Sequence, residues 1–99
     1  MTKHFSINNT IEKALIQVLD KGQPYLLTNS TVVMNLYKPN GTVYLTKTLT
    51  ITDAALGKCE WAPLTGEMSV PGVYACRLAI TKTNPNGYVE LPVEEFRID

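Results

Sequence analysis

The chain has few side chains that could do chemistry, and its two cysteines are the most suggestive of them. Cys59 and Cys76 each lie in a run that alternates in the manner of a strand, on the apolar face of that run. Tyr74 precedes Cys76 by two residues, like the tyrosine before the second cysteine of antibody domains. However, the two cysteines are much closer in sequence than those of antibody domains, and the expected compartment is reducing. We therefore predict two buried thiols, with a disulfide as the alternative.

Candidate catalytic and metal-binding residues are sparse. The one histidine, His4, lies near the start of the chain, where we expect it to be solvated, so a serine nucleophile would have no base. Glu94 and Glu95 are adjacent, and on a strand they would point to opposite faces and could not act on one substrate. The chain has neither a close cysteine pair nor a glycine-rich phosphate loop. These patterns predict that the protein is not an enzyme and holds no metal or cofactor.

Composition places the chain among globular domains. It has 99 residues, of which 44% are hydrophobic and 18% charged, as expected for a single domain with its own core. Nine basic and nine acidic residues balance, and no basic run could follow a phosphate backbone. No apolar run is long enough to span a bilayer, and the first residues lack the apolar core of a secretion signal. We expect a protein made in a cytoplasm, without nucleic-acid or membrane partners.

The run from Val73 to Thr81 is the clearest strand. It has the period of two that is typical of a strand with one buried face. A shorter strand around Cys59 and Trp61 precedes it, and the connection of about ten residues suits a crossover between two packed sheets rather than a tight hairpin. The predicted structural core comprises Met34, Trp61, Tyr74, Cys76, Leu78 and Ile80.

Two further segments alternate in the same way. Residues from Thr31 to Tyr37 predict a central strand, and Pro39-Asn40-Gly41 supplies a turn from which the chain returns as a hairpin. Residues from Thr10 to Leu19 fit either a helix face or a strand, and we favour a strand because a lone helix would be hard to place in a two-layer sandwich.

The remaining elements are short. Asp53 to Gly57 predicts one helical turn, with aspartate as its cap and glycine as its stop. Asn84 to Gly87 is a strong turn signal, and Pro92 marks the closing run as an edge strand or a bulge. In total the sequence predicts an all-β, immunoglobulin-like sandwich of about seven to eight short antiparallel strands.

The first nine residues form a separate segment in this interpretation. Phe5 and Ile7 alternate with polar residues, which suits either a short edge strand or an arm that lies on a neighbouring molecule. We therefore divide the chain into an N-terminal arm or edge strand (residues 1–9) and a sandwich domain (residues 10–99), and expect the domain to fold without the first segment.

Several strings of turn and strand residues, in this order and spacing, resemble a known family. They are Asp20-Lys21-Gly22-Gln23-Pro24, the run from Leu27 to Val32, Lys38-Pro39-Asn40-Gly41, the run from Ile51 to Lys58, and Pro71-Gly72-Val73-Tyr74. From about Thr10 to Ile98 the chain is similar to the N-terminal domain of bacteriophage baseplate upper proteins. The resemblance implies an immunoglobulin-like sandwich that attaches one virion protein to others. Because these strings consist of turn and strand residues, they indicate the fold of the chain more specifically than its function.

Exposed aromatic residues are the candidates for an interface. Tyrosine combines apolar area with a polar tip, so Tyr25, Tyr37, Tyr44 and Tyr88 could anchor a protein or stack on a sugar, although strand propensity alone would place several in the sheets. The candidate interface residues are Phe5, Ile7, Tyr37 and Tyr88.

The function expected from this resemblance is structural. We expect a non-enzymatic virion protein that is assembled in the bacterial host cytoplasm. It would dock onto capsid or baseplate and tail proteins, in multiple symmetric copies, through sheet edges and chain ends. A carbohydrate-binding or host-adhesion module is the alternative. A secreted immunoglobulin-like domain with a disulfide is a third possibility.

Overall fold

Eleven strands make up the regular structure of the described part of the chain. The computed structural model describes residues 2–83, 86–92 and 95–99. In chain order the strands are β1 (Thr2–Phe5), β2 (Ala14–Gln17), β3 (Leu19–Asp20), β4 (Gln23–Pro24), β5 (Ser30–Tyr37), β6 (Val43–Thr48), β7 (Thr50–Asp53), β8 (Lys58–Trp61), β9 (Gly72–Thr83), β10 (Asn86–Pro92) and β11 (Glu95–Ile98).

Strand β9 is the longest and organises the six-stranded sheet, here called the large sheet. Its order is β1-β11-β9-β5-β6, and β10 pairs with β9 on the same side as β11. All of these pairs are antiparallel except β1 with β11, which run parallel. Twelve residues allow β9 to pair with two shorter strands in succession along one edge.

The small sheet has three strands in the order β2-β8-β7, and the β3–β4 hairpin projects from its edge. Lys21 and Gly22 form the hairpin tip with φ of 52° and 80°, as a two-residue type I′ turn requires. Two hydrogen bonds close the base of the hairpin: the Val18 amide donates to the Gly57 carbonyl at 2.7 Å and the Tyr25 amide donates to the Val18 carbonyl at 2.9 Å.

The core lies between the two sheets and follows the alternation of their strands. Val32, Met34 and Leu36 of β5 are buried on one face, and neighbouring residues of the strand are half-buried or exposed. Trp61 of the small sheet stacks on Phe96 of the large sheet, with ring centroids 6.1 Å apart. The structure places every residue of the predicted core among the buried side chains: Met34, Trp61, Tyr74, Cys76, Leu78 and Ile80.

The prediction of an all-β sandwich is confirmed. The structure has more strands than the seven or eight expected, because irregular residues divide long runs into pieces that pair with different partners. One pair is parallel rather than antiparallel. The segment from Thr10 to Leu19 contributes strand β2, whose buried Ala14 and Ile16 alternate with exposed residues. The crossover from β8 to β9 connects the two sheets, as predicted.

The predicted helical turn is not found, and the second predicted turn is only partly described. Asp53 to Gly57 is a turn rather than a helical turn, although the Asp53 carboxylate does accept a hydrogen bond from the Leu56 amide and Gly57 does have a positive φ of 68°. The Gly57 amide donates to the Ala54 carbonyl at 3.3 Å, three residues back, so the segment closes as a β-turn directly before β8 begins at Lys58. Part of the predicted turn at Asn84 to Gly87 lies outside the described residues. Glu94 also lies outside them.

The first segment belongs to the large sheet in this structure. Strand β1 lies at the sheet edge, and Phe5 is only 7% exposed, because its ring packs against Phe96 with centroids 5.8 Å apart. Phe5 is therefore a core residue of the folded domain, contrary to its selection as an interface residue. The division between residues 9 and 10 stays a prediction. Within the described ranges no helix could span a membrane.

Candidate functional site

A shallow groove of about 540 Å³ lies on the solvent-facing side of the large sheet. We call it the outer-face groove. Its lining residues come from the end of β5, the β5–β6 turn, the start of β9 and the start of β11: Tyr37, Lys38, Pro39, Gly41, Val73, Ala75, Arg77 and Glu95. A second hollow of about 440 Å³ continues from it around the end of the sandwich, past Val70 and Pro71.

Strand pairing explains the apolar floor of the outer-face groove. Tyr37 of β5 lies opposite Ala75 of β9 on one side and opposite Val43 of β6 on the other. Side chains on one face of a sheet alternate along each strand, so these three residues and Val73 share the outer face. Val73 is 37% exposed and Val43 is 48% exposed. An apolar strip at one end of an open sheet face is a feature of surfaces that bind proteins.

The rim of the groove is charged with both signs. Arg77 points outward beside the floor, and its Nε donates to the Glu90 carboxylate at 3.2 Å. Glu95 lies across the groove from the β5–β6 turn. Among the described residues Lys38 has no side-chain hydrogen bond or ion pair. An apolar floor with a polar, mixed-charge rim is the anatomy of many protein–protein interfaces.

One wall of the groove is the β5–β6 turn, and its own hydrogen bonds fix its shape. The Gly41 amide donates to the Lys38 carbonyl at 2.8 Å, and the Lys38 amide donates to the Thr42 carbonyl at the same distance. The Asn40 side chain accepts from the Thr42 amide at 3.0 Å. Gly41 has a φ of 86°, which favours glycine at this position. The turn presents Lys38 and Pro39 in a defined position.

The hollow beside the groove includes Val70 and Pro71 of the segment between β8 and β9, and Glu67 holds that segment in place. We call this set of contacts the Glu67 junction. Its carboxylate accepts hydrogen bonds from Lys47 Nζ at 2.8 Å, the Leu64 amide at 2.8 Å and Trp61 Nε1 at 3.1 Å. Tyr44 Oη donates to the Glu67 carbonyl at 2.8 Å. The junction therefore ties the segment to strand β6 and to strand β8.

Two tyrosines extend the contacts of the Glu67 junction to the start of β9. The rings of Tyr44 and Tyr74 stack with centroids 4.5 Å apart, and Tyr74 Oη donates to the Val70 carbonyl at 2.7 Å. Only Gly72 separates Val70 and Pro71 from the groove residue Val73. The turn that forms one wall of the groove and the segment beside the adjoining hollow are thus fixed by hydrogen bonds within the free domain, and preorganisation of this kind lowers the entropic cost of binding.

The environment shifts the pKa values of two groups at this end of the sandwich. Burial of the Glu67 carboxyl raises its pKa, but the hydrogen bonds from Lys47, Leu64 and Trp61 outweigh burial and hold the pKa of Glu67 below its ordinary value. Burial raises the pKa of Tyr74, and the neighbouring Tyr44 adds to that shift. Glu67 is therefore ionised and Tyr74 neutral at pH 7.

The sequence-selected interface residues lie at different places. Tyr37 forms part of the outer-face groove and is half-buried. Tyr88 is 65% exposed on β10, and it pairs with Thr81, six residues along β9 from Ala75 or about 20 Å away. Ile7 is 42% exposed just after β1. Whether these three residues contact a partner stays a prediction.

The other tyrosines do not extend the groove into a flat aromatic surface. Tyr44 is packed under Tyr74, and Tyr25 is half-buried with the Lys82 ammonium 4.8 Å from its ring centroid. Sugar-binding sites commonly present aromatic faces to the ligand, but these tyrosines occupy separate environments. The described tyrosines therefore give little support to a carbohydrate-binding platform.

The residues first considered for chemistry are dispersed. Cys59 and Cys76 are both buried thiols, and burial raises the pKa of Cys59 to about 11. His4 is exposed on β1, where its Nδ1 lies 3.6 Å from the Asp99 carboxylate. Across residues 2–83, 86–92 and 95–99, no group of three or more potential metal ligands comes together.

Sequence reasoning missed the groove and the Glu67 junction. The alternation of residues 73–81 predicts one buried face and so leaves Val73, Ala75 and Arg77 on the other face, but the turn that forms a wall of the groove is distant in sequence. The available signal for the groove was the pair of apolar residues Val73 and Ala75 on the solvent-facing side of one strand. Glu67 gave no signal, because a single acidic residue in a loop is usually solvated.

Comparison with protein families identifies the family of this domain. The family model described as the BppU N-terminal domain matches residues 8–98, which is most of the chain. The chain belongs to the BppU N-terminal domain family. This result confirms the resemblance seen in the turn and strand residues. The family is a structural phage baseplate domain and not an enzyme family, so a BppU N-terminal domain is a component of a virion. A comparison with curated proteins found no match.

Two solved structures have a similar fold. The N-terminal domain of phage TP901-1 ORF48 is similar, with a TM-score of 0.75 and 12% identity, over 100% of this chain and 85% of that one. CopC from Methylosinus trichosporium OB3b is similar with a TM-score of 0.54 and 11% identity, over 99% of this chain and 83% of that one. At these identities the likeness shows the fold alone.

Proposed function

We propose that this BppU N-terminal domain is an adaptor of the phage tail or baseplate, which docks onto another virion protein through its outer-face groove. The outer-face groove supports the proposal, because it has an apolar floor, a charged rim and a wall, the β5–β6 turn, that hydrogen bonds already fix in the free domain. A contact centred on it would reach standard size by burying about 800 Å² per partner. The domain would supply shape and chemical complementarity, and no catalytic step is involved.

Repetition would make the attachment permanent. A virion presents many equivalent positions, and symmetric copies convert modest individual contacts into a stable assembly. Assembly in the bacterial host cytoplasm is part of the same proposal and is compatible with two buried thiols. Decoration of the capsid is the other location that a structural virion module could occupy.

A pair of matched substitutions on β9 tests the groove. Ala75→Glu places a carboxylate on the groove floor beside Glu95, whereas Thr81→Glu places the same group on the same face of the same strand, six residues away. Both positions are exposed, so we expect both variants to fold and to melt close to the unmodified protein. Thermal unfolding measured by circular dichroism checks that point first.

Incorporation into particles is the decisive readout. Each variant is supplied to a phage that lacks its own copy, heads and tails are separated, and copies are counted by peptide mass spectrometry. The proposal predicts wild-type incorporation of Thr81→Glu in tails and loss of Ala75→Glu. Equal incorporation of both variants would rule out docking through the groove. Recovery with heads would indicate capsid decoration instead, and absence from both fractions would overturn the virion role.

A further inference from the structure

Strands β1 and β11 run parallel at the edge of the large sheet, and we call them the terminal strand pair. The register runs from Thr2 opposite Glu95 to Phe5 opposite Ile98. Two further hydrogen bonds extend the ladder: the Asp99 amide donates to the Phe5 carbonyl at 2.9 Å, and the Ile7 amide donates to the Asp99 carbonyl at 2.7 Å. Other neighbours in this sheet are antiparallel.

A parallel arrangement places the two ends of this pair at opposite ends of the sandwich. Thr2 lies beside the beginning of β11, whereas Asp99 lies beside the end of β1. Tension applied between residues 2 and 99 would therefore draw the two strands past each other along their length. Ladder hydrogen bonds lie across the strands, so this tension loads all of them together. Pulling a hairpin open loads one bond at a time.

The core adds resistance to the same movement. Phe5 is buried against Phe96, and Phe96 stacks in turn on Trp61 of the small sheet. Sliding β1 along β11 by one residue would bring side chains of the opposite face toward the core, because strand side chains alternate. Withdrawing Phe5 exposes apolar area to water. The hydrogen bonds and the phenylalanine contact would have to be broken in the same step.

We propose that the terminal strand pair is a mechanical clamp that lets the domain carry tension between its two ends without unfolding. This function is separate from docking through the outer-face groove, which lies on a surface of the same sheet but requires no force. It would serve wherever bodies attached at the two ends of the domain are pulled apart. Resistance to force depends on the unfolding rate along the pulled direction and not on equilibrium stability alone.

The direction of pulling provides the first test and needs no change to the clamp. Single-molecule force spectroscopy is performed on the full chain with handles at its two ends. It is repeated with handles on the exposed β5 and β6 positions of T31C and T48C, where force peels the edge strand β6 sideways. We expect a higher unfolding force for end-to-end pulling at the same loading rate. Equal forces in the two directions would overturn the proposal.

Backbone substitutions in β1 provide the second test. The N–H and C=O of one strand residue point to the same side, and the sides alternate along the strand. Because the Phe5 carbonyl faces β11, the Lys3 amide also faces β11 and the His4 amide faces away. Lys3→Pro therefore removes a ladder donor, whereas His4→Pro imposes the same ring without removing one.

The expected result separates the clamp from general stability. Lys3→Pro should lose the excess force seen in end-to-end pulling while keeping the sideways unfolding force of the unmodified protein. His4→Pro should keep both the excess end-to-end force and the sideways unfolding force. Lys3→Ala and His4→Ala are the controls for loss of the lysine and histidine side chains. The same loss of end-to-end force in both proline variants would contradict the proposal. If Lys3→Pro does not fold, the two-direction comparison on the unmodified clamp still decides it. Neither test involves particle assembly.

Discussion

Trp61 Nε1 donates a hydrogen bond to Glu67 Oε1 at 3.1 Å, and this bond joins the core of the sandwich to the loop between β8 and β9. The indole ring is buried against Phe96, while the carboxylate it contacts also binds Lys47. A buried aromatic residue with a polar handle usually finds such a partner. The contact makes the loop between β8 and β9 part of the folded unit.

Protonation of Glu67 should destabilise the domain. Its pKa is lower in the folded protein than in the unfolded chain, so its contribution is present above the unfolded value near 4.5 and is lost as pH falls through the folded value. Glu67→Gln should cost about 1 to 2 kcal/mol at pH 7 and flatten this acid limb. Urea titrations between pH 7 and pH 3, followed by Trp61 fluorescence, measure both effects. Glu90→Gln, whose partner Arg77 is exposed, is the control. Parallel pH profiles for the parent and Glu67→Gln would refute this role.

Truncation of either buried aromatic residue should be severe. Trp61 and Tyr74 are at most 2% exposed, and Trp61→Ala or Tyr74→Ala should lower the free energy of unfolding by about 3 to 5 kcal/mol. Tyr88→Ala removes a side chain that is 65% exposed and should change it by less than about 0.5 kcal/mol. Chemical denaturation of the three variants compares these costs. A core variant as stable as Tyr88→Ala would show that the core has been placed wrongly.

Gly57 should tolerate no side chain. A Cβ there would lie 2.6 Å from the backbone carbonyl oxygens of Val18 and Tyr25, and its φ is 68°. Gly57→Ala should therefore cost more than about 2 kcal/mol, from backbone strain and from the displaced carbonyls. Gly41 has a similar φ of 86° with nothing within 4 Å, so Gly41→Ala should cost only the strain of about 1 kcal/mol. Equal melting temperatures for the two variants would contradict the close approach at Gly57.

Neither thiol should react in the native protein. Burial raises the pKa of Cys59 to about 11, so its reactive thiolate is scarce at pH 8, and Cys76 is also buried. We expect iodoacetamide to label both cysteines in urea and neither in buffer, as read by intact mass. Added reductant should leave the melting temperature unchanged. A drop in melting temperature with reductant would instead support the disulfide considered from the sequence.

Alternation in the sequence predicted the strands well because one buried face imposes it directly. Residues 31–37 and 73–81 carry this pattern, and they form most of the paired lengths of β5 and β9. The turn at Pro39-Asn40-Gly41 was predictable for a local reason, since it is built from its own residues. Boundaries were harder to predict, because Leu49 interrupts a run that then pairs with the other sheet.

The site could not be predicted in the same way, because it depends on contacts between distant segments. Tyr37 was selected as an exposed tyrosine, but its position opposite Ala75 depends on the register of β5 with β9. Phe5 was selected as a possible interface residue of an N-terminal edge strand or arm, and it is buried, since only the fold reveals that β11 leaves an edge for β1. Its burial also changes an expectation: removal of residues 1–9 should now destabilise the domain.

The β3–β4 hairpin lies beyond the two hydrogen bonds at its base, and residues 19–24 are exposed or half-exposed outside the core. New sequence inserted between Lys21 and Gly22 would extend into solvent without displacing a packed side chain. The hairpin is thus a position at which the domain should tolerate short insertions without loss of its core. The same property makes it a natural point for the display of a foreign peptide.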